Sequence, residues 1–185
     1  IGYAFEHAFN NYLQFRQNFR YTYVSNDLAS TTSEGMLSDR LVARSYNYIT
    51  ANSQNVTLDN QFQADFATGP FVHKVLAGLD YVNQTGFTDY RSQSSVPFGT
   101  LTPIDAYTPV YGATIAPSAS LAPFIYRKDK LDQVGLYLQD QVKLDRWILS
   151  VTGRQDWVST NSTSTGFYPP AGVYQRDDSA TTGRI

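Results

Sequence analysis

The chain has 185 residues, a formal net charge of −2 and no cysteine. Disulfide frameworks and thiolate metal sites are thereby excluded, and the near-balanced charge argues against a nucleic-acid or other polyanionic partner. The length would suit one compact soluble domain, but 14 Tyr and 11 Phe against a single Met, among many Asn, Gln, Ser and Thr, suit pleated surfaces with one apolar face instead. No run approaches the ~18–20 consecutive apolar residues of a membrane helix; the densest, Val75 to Leu79, is far too short. Ile1 to Phe9 shows no basic region followed by an apolar one, so no secretory leader is read there. An exported protein starting at Ile1 is expected to be mature or truncated.

The first strong element runs from Tyr12 to Ser25. Leu13, Phe15, Phe19, Tyr21 and Tyr23 share one parity, broken by Gln17, while Gln14, Arg16, Asn18, Arg20 and Thr22 hold the other. This period of two predicts a strand much longer than the ~5–6 residues usual in soluble sheets. At ~3.3 Å per residue and a tilt of about 40–45° it rises ~33 Å, enough to cross an outer membrane. The same alternation returns with Val56, Leu58, Phe62, Ala64 and Phe66, where Asn60 is the exception. It returns again with Val75, Ala77, Leu79 and Tyr81, then with Val134, Leu136, Leu138, Val142 and Leu144, and last with Trp147, Leu149 and Val151. Val134, Leu138 and Val142 also keep a helical four-residue spacing, but the neighbouring segments favour strand.

Short and long connections alternate. Asn10-Asn11, Thr68-Gly69-Pro70 and Asp145-Arg146 read as tight turns. The polar stretches 26–39, 91–122 and 161–180 read as long loops, unusual in a soluble domain but the rule in outer-membrane barrels. The predicted fold is therefore all-β: a segment of an antiparallel up-and-down transmembrane β-barrel, with about five complete strands, a partial one at the start and another beginning near Thr182. Tyr21, Tyr23, Tyr81 and Trp157 are expected at the outer interface, and Phe66, Phe71 and Trp147 at the inner one. Open sheet edges cannot face lipid, so more chain is expected at both ends to close the barrel.

From Gly2-Tyr3-Ala4-Phe5-Glu6-His7-Ala8-Phe9-Asn10 onward the chain resembles the TonB-dependent siderophore receptors, in particular their ferric-hydroxamate (ferrichrome) branch. Further segments agree in order: Leu13 to Tyr21, Leu58 to Ala64 with Phe66-Ala67-Thr68-Gly69, His73 with Leu76 to Tyr81, Gly135 to Gln141, and Gly153-Arg154-Gln155-Asp156-Trp157. The loop piece Pro109-Val110-Tyr111-Gly112 agrees as well. This resemblance implies residence in the bacterial outer membrane and a 22-stranded barrel around an N-terminal plug. It further implies binding of a ferric siderophore, of hydroxamate type, and import with energy delivered by TonB. Relative to that family, residues 1–185 are a middle part of the barrel, in contact with outer-membrane lipid, with the plug and the remaining strands absent; TonB would be met through the absent plug region.

No catalytic signature is present: there is no His-Glu-x-x-His helix, phosphate-cradling glycine loop or serine elbow. The two histidines, His7 and His73, read as surface or interfacial residues, and Asp59, Asp65, Asp80, Asp140 and Asp156 are expected mostly to face the wet lumen. The chain is read as a non-enzyme without a cofactor, iron arriving only inside its siderophore. Such a complex calls for aromatic faces and hydrogen-bond donors rather than metal ligands. Candidates in or beside the longest loop are Phe87, Tyr90, Tyr107, Tyr111 and Tyr126, with Arg40 and Arg91 as cations; loop packing is the competing role for each. The rival readings are a general diffusion porin, an outer-membrane hydrolase with a Ser–His pair at the rim, and a soluble β-sandwich adhesin.

Overall fold

A computed structural model describes residues 1–94, 103–112 and 121–185. Its elements are β1 (Gly2–Asn10), β2 (Leu13–Met36), β3 (Leu41–Thr68), β4 (Phe71–Ser94), β5 (Ile104–Asp105), β6 (Pro123–Leu144), β7 (Trp147–Ser164) and β8 (Gly172–Arg184). The long strands form one antiparallel sheet in the order β1-β2-β3-β4-β6-β7-β8, and the two-residue β5 pairs with β3. Up-and-down connectivity is what two-residue turns impose. Gly69, at φ +61°, takes the left-handed position that the Gly69-Pro70 turn requires. At the first turn the Asn10 side chain accepts a 3.0 Å bond from the Tyr12 amide, an Asx turn.

The sheet has one apolar and one polar face, and the apolar face is the more exposed. Leu136 and Leu138 are 52% and 56% exposed, whereas Gly135 between their neighbours is buried and Tyr137 is half-buried. Ala43, at 1%, is the one buried apolar side chain among the described residues. A soluble domain hides its apolar face; this sheet presents it. The register makes that face continuous, since Phe15, Phe62, Ala77 and Leu138 stand in one row across four strands. In the next row but one outward stand Tyr3, Phe19, Leu58, Tyr81, Val134 and Trp157.

The opposite face is tied by charge. Arg154 binds Asp80 at 2.6 Å and Asp156 at 2.6 Å, and its guanidinium lies 5.7 Å from the Tyr137 ring centroid. The Tyr137 hydroxyl donates to Asp59 at 2.8 Å. Gly78 makes room for that ring, and Gly135 makes room for the Arg154 head, because a Cβ at either would collide with them. Asp65 follows the same parity, with Gln63 donating to it at 3.1 Å. Asp140 does not: its register partner is Val75, so it stands on the apolar face, where its carboxylate meets the His73 ring at 2.8 Å. A charge on that face is tolerable when paired, and Phe66 stacks on the same imidazole at 5.0 Å.

The strands are longer than hydropathy alone indicates. Residues 26–36 belong to β2, so the expected 26–39 loop shrinks to residues 37–40. The expected 161–180 loop shrinks to 165–171, and the last strand starts at Gly172 rather than near Thr182. Above the lipid neither face must be apolar, so alternation fades while the hydrogen-bond ladder continues. With 28 residues, β3 rises roughly 65–70 Å at the usual tilt, against an apolar band of about 25 Å. Roughly 40–45 Å of wall therefore stands outside the hydrocarbon layer.

In the closed full-length barrel, substituting Leu138→Arg should destabilise the bilayer-folded state by about 2–4 kcal/mol. Gln139→Lys, on the polar face, should change it by about 0.5 kcal/mol or less. Equal penalties in a denaturant titration of folding into vesicles would overturn the assignment of faces.

Candidate functional site

The seven candidate residues occupy three places. Arg40 lies in the 37–40 turn at the tip of the β2–β3 hairpin, and β5 is laid against that hairpin through the pairs Leu41–Asp105 and Val42–Ile104. Asp105 drives this docking: one carboxylate oxygen accepts from the amides of Tyr107 at 2.9 Å and Thr108 at 3.0 Å. The other oxygen accepts from Arg40, whose guanidinium is 2.8 Å away. Arg40 also lies 5.6 Å from the centroid of the Tyr107 ring. Tyr107 and Tyr111 remain exposed, at 73% and 78%. The result is a clasped loop that carries aromatic side chains out at the tip.

Of the three candidates on β4, only Tyr90 is on the inward face, where its ring meets Phe124 edge to face at 5.7 Å. Its hydroxyl donates to the Asn47 carbonyl oxygen at 2.9 Å, and Ser92 donates to the same oxygen at 2.9 Å. The Asn47 amide nitrogen in turn donates to Thr32 at 3.1 Å and to Ser45 at 3.4 Å. Asn47 and Ser45 are buried, so this small polar network is ordered, with every polar atom of the Asn47 side chain engaged. Thr32, Ser45, Asn47 and Ser92 were not singled out by sequence reasoning. The available signal was parity: counted along unbroken strands, Asn47 and Tyr90 fall on the face opposite the apolar one.

Phe87, Tyr126 and Arg91 stand on the outward face. Phe87 pairs with Asn52 and Lys128, and Tyr126 with Asp89, continuing the parity of Leu79 and Tyr81. The Phe87 and Tyr126 rings meet edge to face at 5.3 Å. Arg91 forks onto Asp89 at 2.9 Å and donates to the Leu121 carbonyl oxygen at 2.8 Å. The structure therefore brings Arg40 and Tyr107 together, and Phe87 and Tyr126 together, but gathers no common pocket from all seven. Among the described residues no group of three or more His, Asp or Glu side chains is arranged to hold a metal ion.

A family model described as TonB dependent receptor-like, beta-barrel matches residues 1–185. The ferrioxamine B receptor of Salmonella typhimurium (strain LT2) is 34% identical over 162 residues, covering 88% of this chain and 22% of that protein. The ferrichrome outer membrane transporter/phage receptor of Escherichia coli K12 is 29% identical over 186 residues, covering 88% of this chain and 24% of that protein. The crystal structure of the siderophore receptor PiuA from Acinetobacter baumannii superposes with a TM-score of 0.72 at 17% identity, over 97% of this chain and 28% of that one. That likeness shows the fold alone. The chain thus spans under a quarter of the length of these curated relatives.

The Asp105 clasp has a definite pH dependence. Backbone donors from Thr108 and Tyr107, and then Arg40, hold the Asp105 carboxyl below the usual aspartate range. A depressed folded-state value means the clasp stabilises above the unfolded value of about 3.9 and is lost as pH falls through the depressed one. Hydrogen exchange at the Tyr107 and Thr108 amides should be slow at neutral pH and should accelerate as pH falls below about 4, relative to intrinsic rates. Asp105→Asn should speed it at neutral pH and flatten that dependence; an unchanged profile in the variant would refute the role.

Proposed function

Because the chain belongs to the TonB-dependent receptor β-barrel family, we propose that it forms part of the wall of a larger outer-membrane receptor that binds a ferric siderophore and imports it. The observation that carries this reading is the sheet's inverted burial, apolar side chains exposed and polar ones half-buried, combined with that membership. An apolar outer face must be covered by lipid, and the open edges of such a sheet must be closed by further strands. In the proposed whole, those strands close a 22-stranded barrel around a plug, and TonB acts on the plug.

The cargo class follows from the relatives, whose names specify ferrioxamine B and ferrichrome; a ferric hydroxamate is the corresponding proposal here. Iron already saturated by its siderophore needs no protein ligand, so the reading assigns no cofactor to the chain. It assigns capture to side chains that an external ligand can reach: Tyr107 and Tyr111 on the clasped loop with Arg40, and Tyr90 on the inner wall. Aromatic faces and a guanidinium suit an oxygen-rich, compact complex. The porin reading is less favoured, because the curated relatives are receptors for particular ligands. The adhesin reading would need the apolar face covered by a second sheet.

In cells carrying the full-length receptor, the double change Tyr107→Ala, Tyr111→Ala should weaken ferric-hydroxamate affinity about tenfold or more, on the order of 1.4 kcal/mol. Barrel assembly should be unaffected. Radiolabelled iron uptake at several siderophore concentrations checks this, and unaltered half-saturation would remove both residues from the site. Failure of the intact receptor to take up any ferric siderophore would remove the transport reading itself.

A further inference from the structure

Tyr90 stands about 30 Å further along β4 than Tyr81 at the outer rim, and roughly 20 Å above that rim at the usual tilt. Its ring meets Phe124 of β6 edge to face at 5.7 Å, and Phe124 in turn stacks on Phe167 at 5.7 Å. A register shift between Tyr90 and Arg91 leaves Phe124 without a partner on β4. Such a bulge re-aims a side chain, and here it turns the Phe124 ring onto the inner wall. The three rings form a staircase from half-buried Tyr90, through Phe124 at 41% exposed, to Phe167 at 78%.

The top step is exposed, yet its backbone is pinned. The Thr165 and Tyr168 amides donate to the Tyr126 and Phe124 carbonyl oxygens at 2.9 and 2.8 Å. The Ser164 and Tyr174 hydroxyls donate to the Pro169 and Pro170 carbonyl oxygens, each at 2.7 Å. Gly166 lies so close to β6 that a Cβ there would stand 2.5 Å from the Tyr126 nitrogen, so glycine is what lets the 165–171 loop rest on that strand. Large rings left in water on a fixed backbone mark a contact surface. A ligand that meets such a surface does not have to order it first.

We propose that Tyr90, Phe124 and Phe167 determine specificity by taking the carbon periphery of the siderophore: the apolar spacers of a ferric trishydroxamate, not its iron centre. This inference rests on the siderophore-receptor reading. The rings carry no charge, and the Tyr90 hydroxyl proton is already given to Asn47, so none of the three has a donor left for an anionic oxygen. Three hydroxamates neutralise one ferric ion, and the complex then offers a C–H surface at its edge. Aromatic faces fit that edge. Their inward direction keeps them from lipid, and their height leaves them open to a ligand arriving from outside. A siderophore with bare methylene spacers gains the most contact. One built on a peptide ring presents amides that these rings cannot satisfy.

The test measures binding to the purified full-length receptor by quenching of its intrinsic fluorescence. Ferrioxamine B serves as the methylene-spaced probe and ferrichrome as the peptide-ring probe. Phe167→Ala should weaken ferrioxamine B binding about tenfold and ferrichrome binding about threefold or less. Gly166→Ala, which lifts the loop from β6 with Phe167 intact, should reproduce that pattern, and Phe167→Tyr should keep the original affinities. Heat-modifiable migration on gels verifies that each variant is folded. If the unaltered receptor binds ferrioxamine B and Phe167→Ala binds it equally well, or loses both probes to the same extent, this inference alone is overturned. If the unaltered receptor binds neither probe, the inference and the hydroxamate reading fall together. If binding follows the expected pattern while cells import no iron, the transport reading falls and the contact surface stands.

Discussion

A hydrocarbon layer offers no partner to a backbone N–H or C=O, so every such group inside it must be paired by the protein. The rest of this structure follows from that constraint. It forces long, unbroken ladders, and β2–β3 and β3–β4 remain in register for more than twenty residues. Such ladders leave the side chains only two directions. One direction meets lipid and the other meets the polar interior, so composition divides by parity. No hydrophobic core is then needed, and among the described residues none forms; packing is replaced by cross-strand pairs such as Phe15–Phe62, with rings 4.8 Å apart.

This explains why some features were legible in the sequence and others were not. Within the lipid band the alternation of Leu13, Phe15, Phe19 and Tyr21 follows directly from the constraint, so strand number, strand direction and face could be read. The tight turns were legible too, because Gly69-Pro70 and Asn10-Asn11 carry their own local chemistry. Beyond the band, water relieves both faces of any hydropathy requirement. Asn26 to Met36 then looks like a loop, although pairing with β3 keeps it extended. A ladder held by backbone bonds alone leaves no periodic trace in side chains. The two-residue β5 was invisible for a different reason: its position depends on Arg40 and Asp105, which are 65 residues apart.

The candidate site suffered from the same gap. Aromatic residues near a long loop were sound candidates by type, but type does not specify direction. Once β4 is known to run unbroken to Ser94, counting from Tyr81 sends Phe87 and Arg91 outward and Tyr90 inward. Asn47 and Ser45, both buried on that inner wall, drew no notice because small polar residues are ordinary anywhere. Their significance comes from burial, which no single sequence displays.

The polar exceptions on the lipid face complete the case for the constraint. Gln17 and Asn60, which break the apolar rows of β2 and β3, are register partners, and Gln17 donates to Asn60 at 2.6 Å. The Tyr3 hydroxyl donates to Gln17 at 2.7 Å. Asp140, the carboxylate of the wrong parity, meets His73, whose second ring nitrogen meets Thr68 at 2.8 Å. A lone amide or carboxylate facing hydrocarbon would cost several kcal/mol. In these places the polar groups occur beside one another and are joined across strands, so that side-chain bonds offset part of the cost of leaving water. Such pairs also oppose a one-residue slip, which would separate the partners and turn the slipped strand's apolar row inward. The departures from alternation thus reinforce the register that alternation establishes.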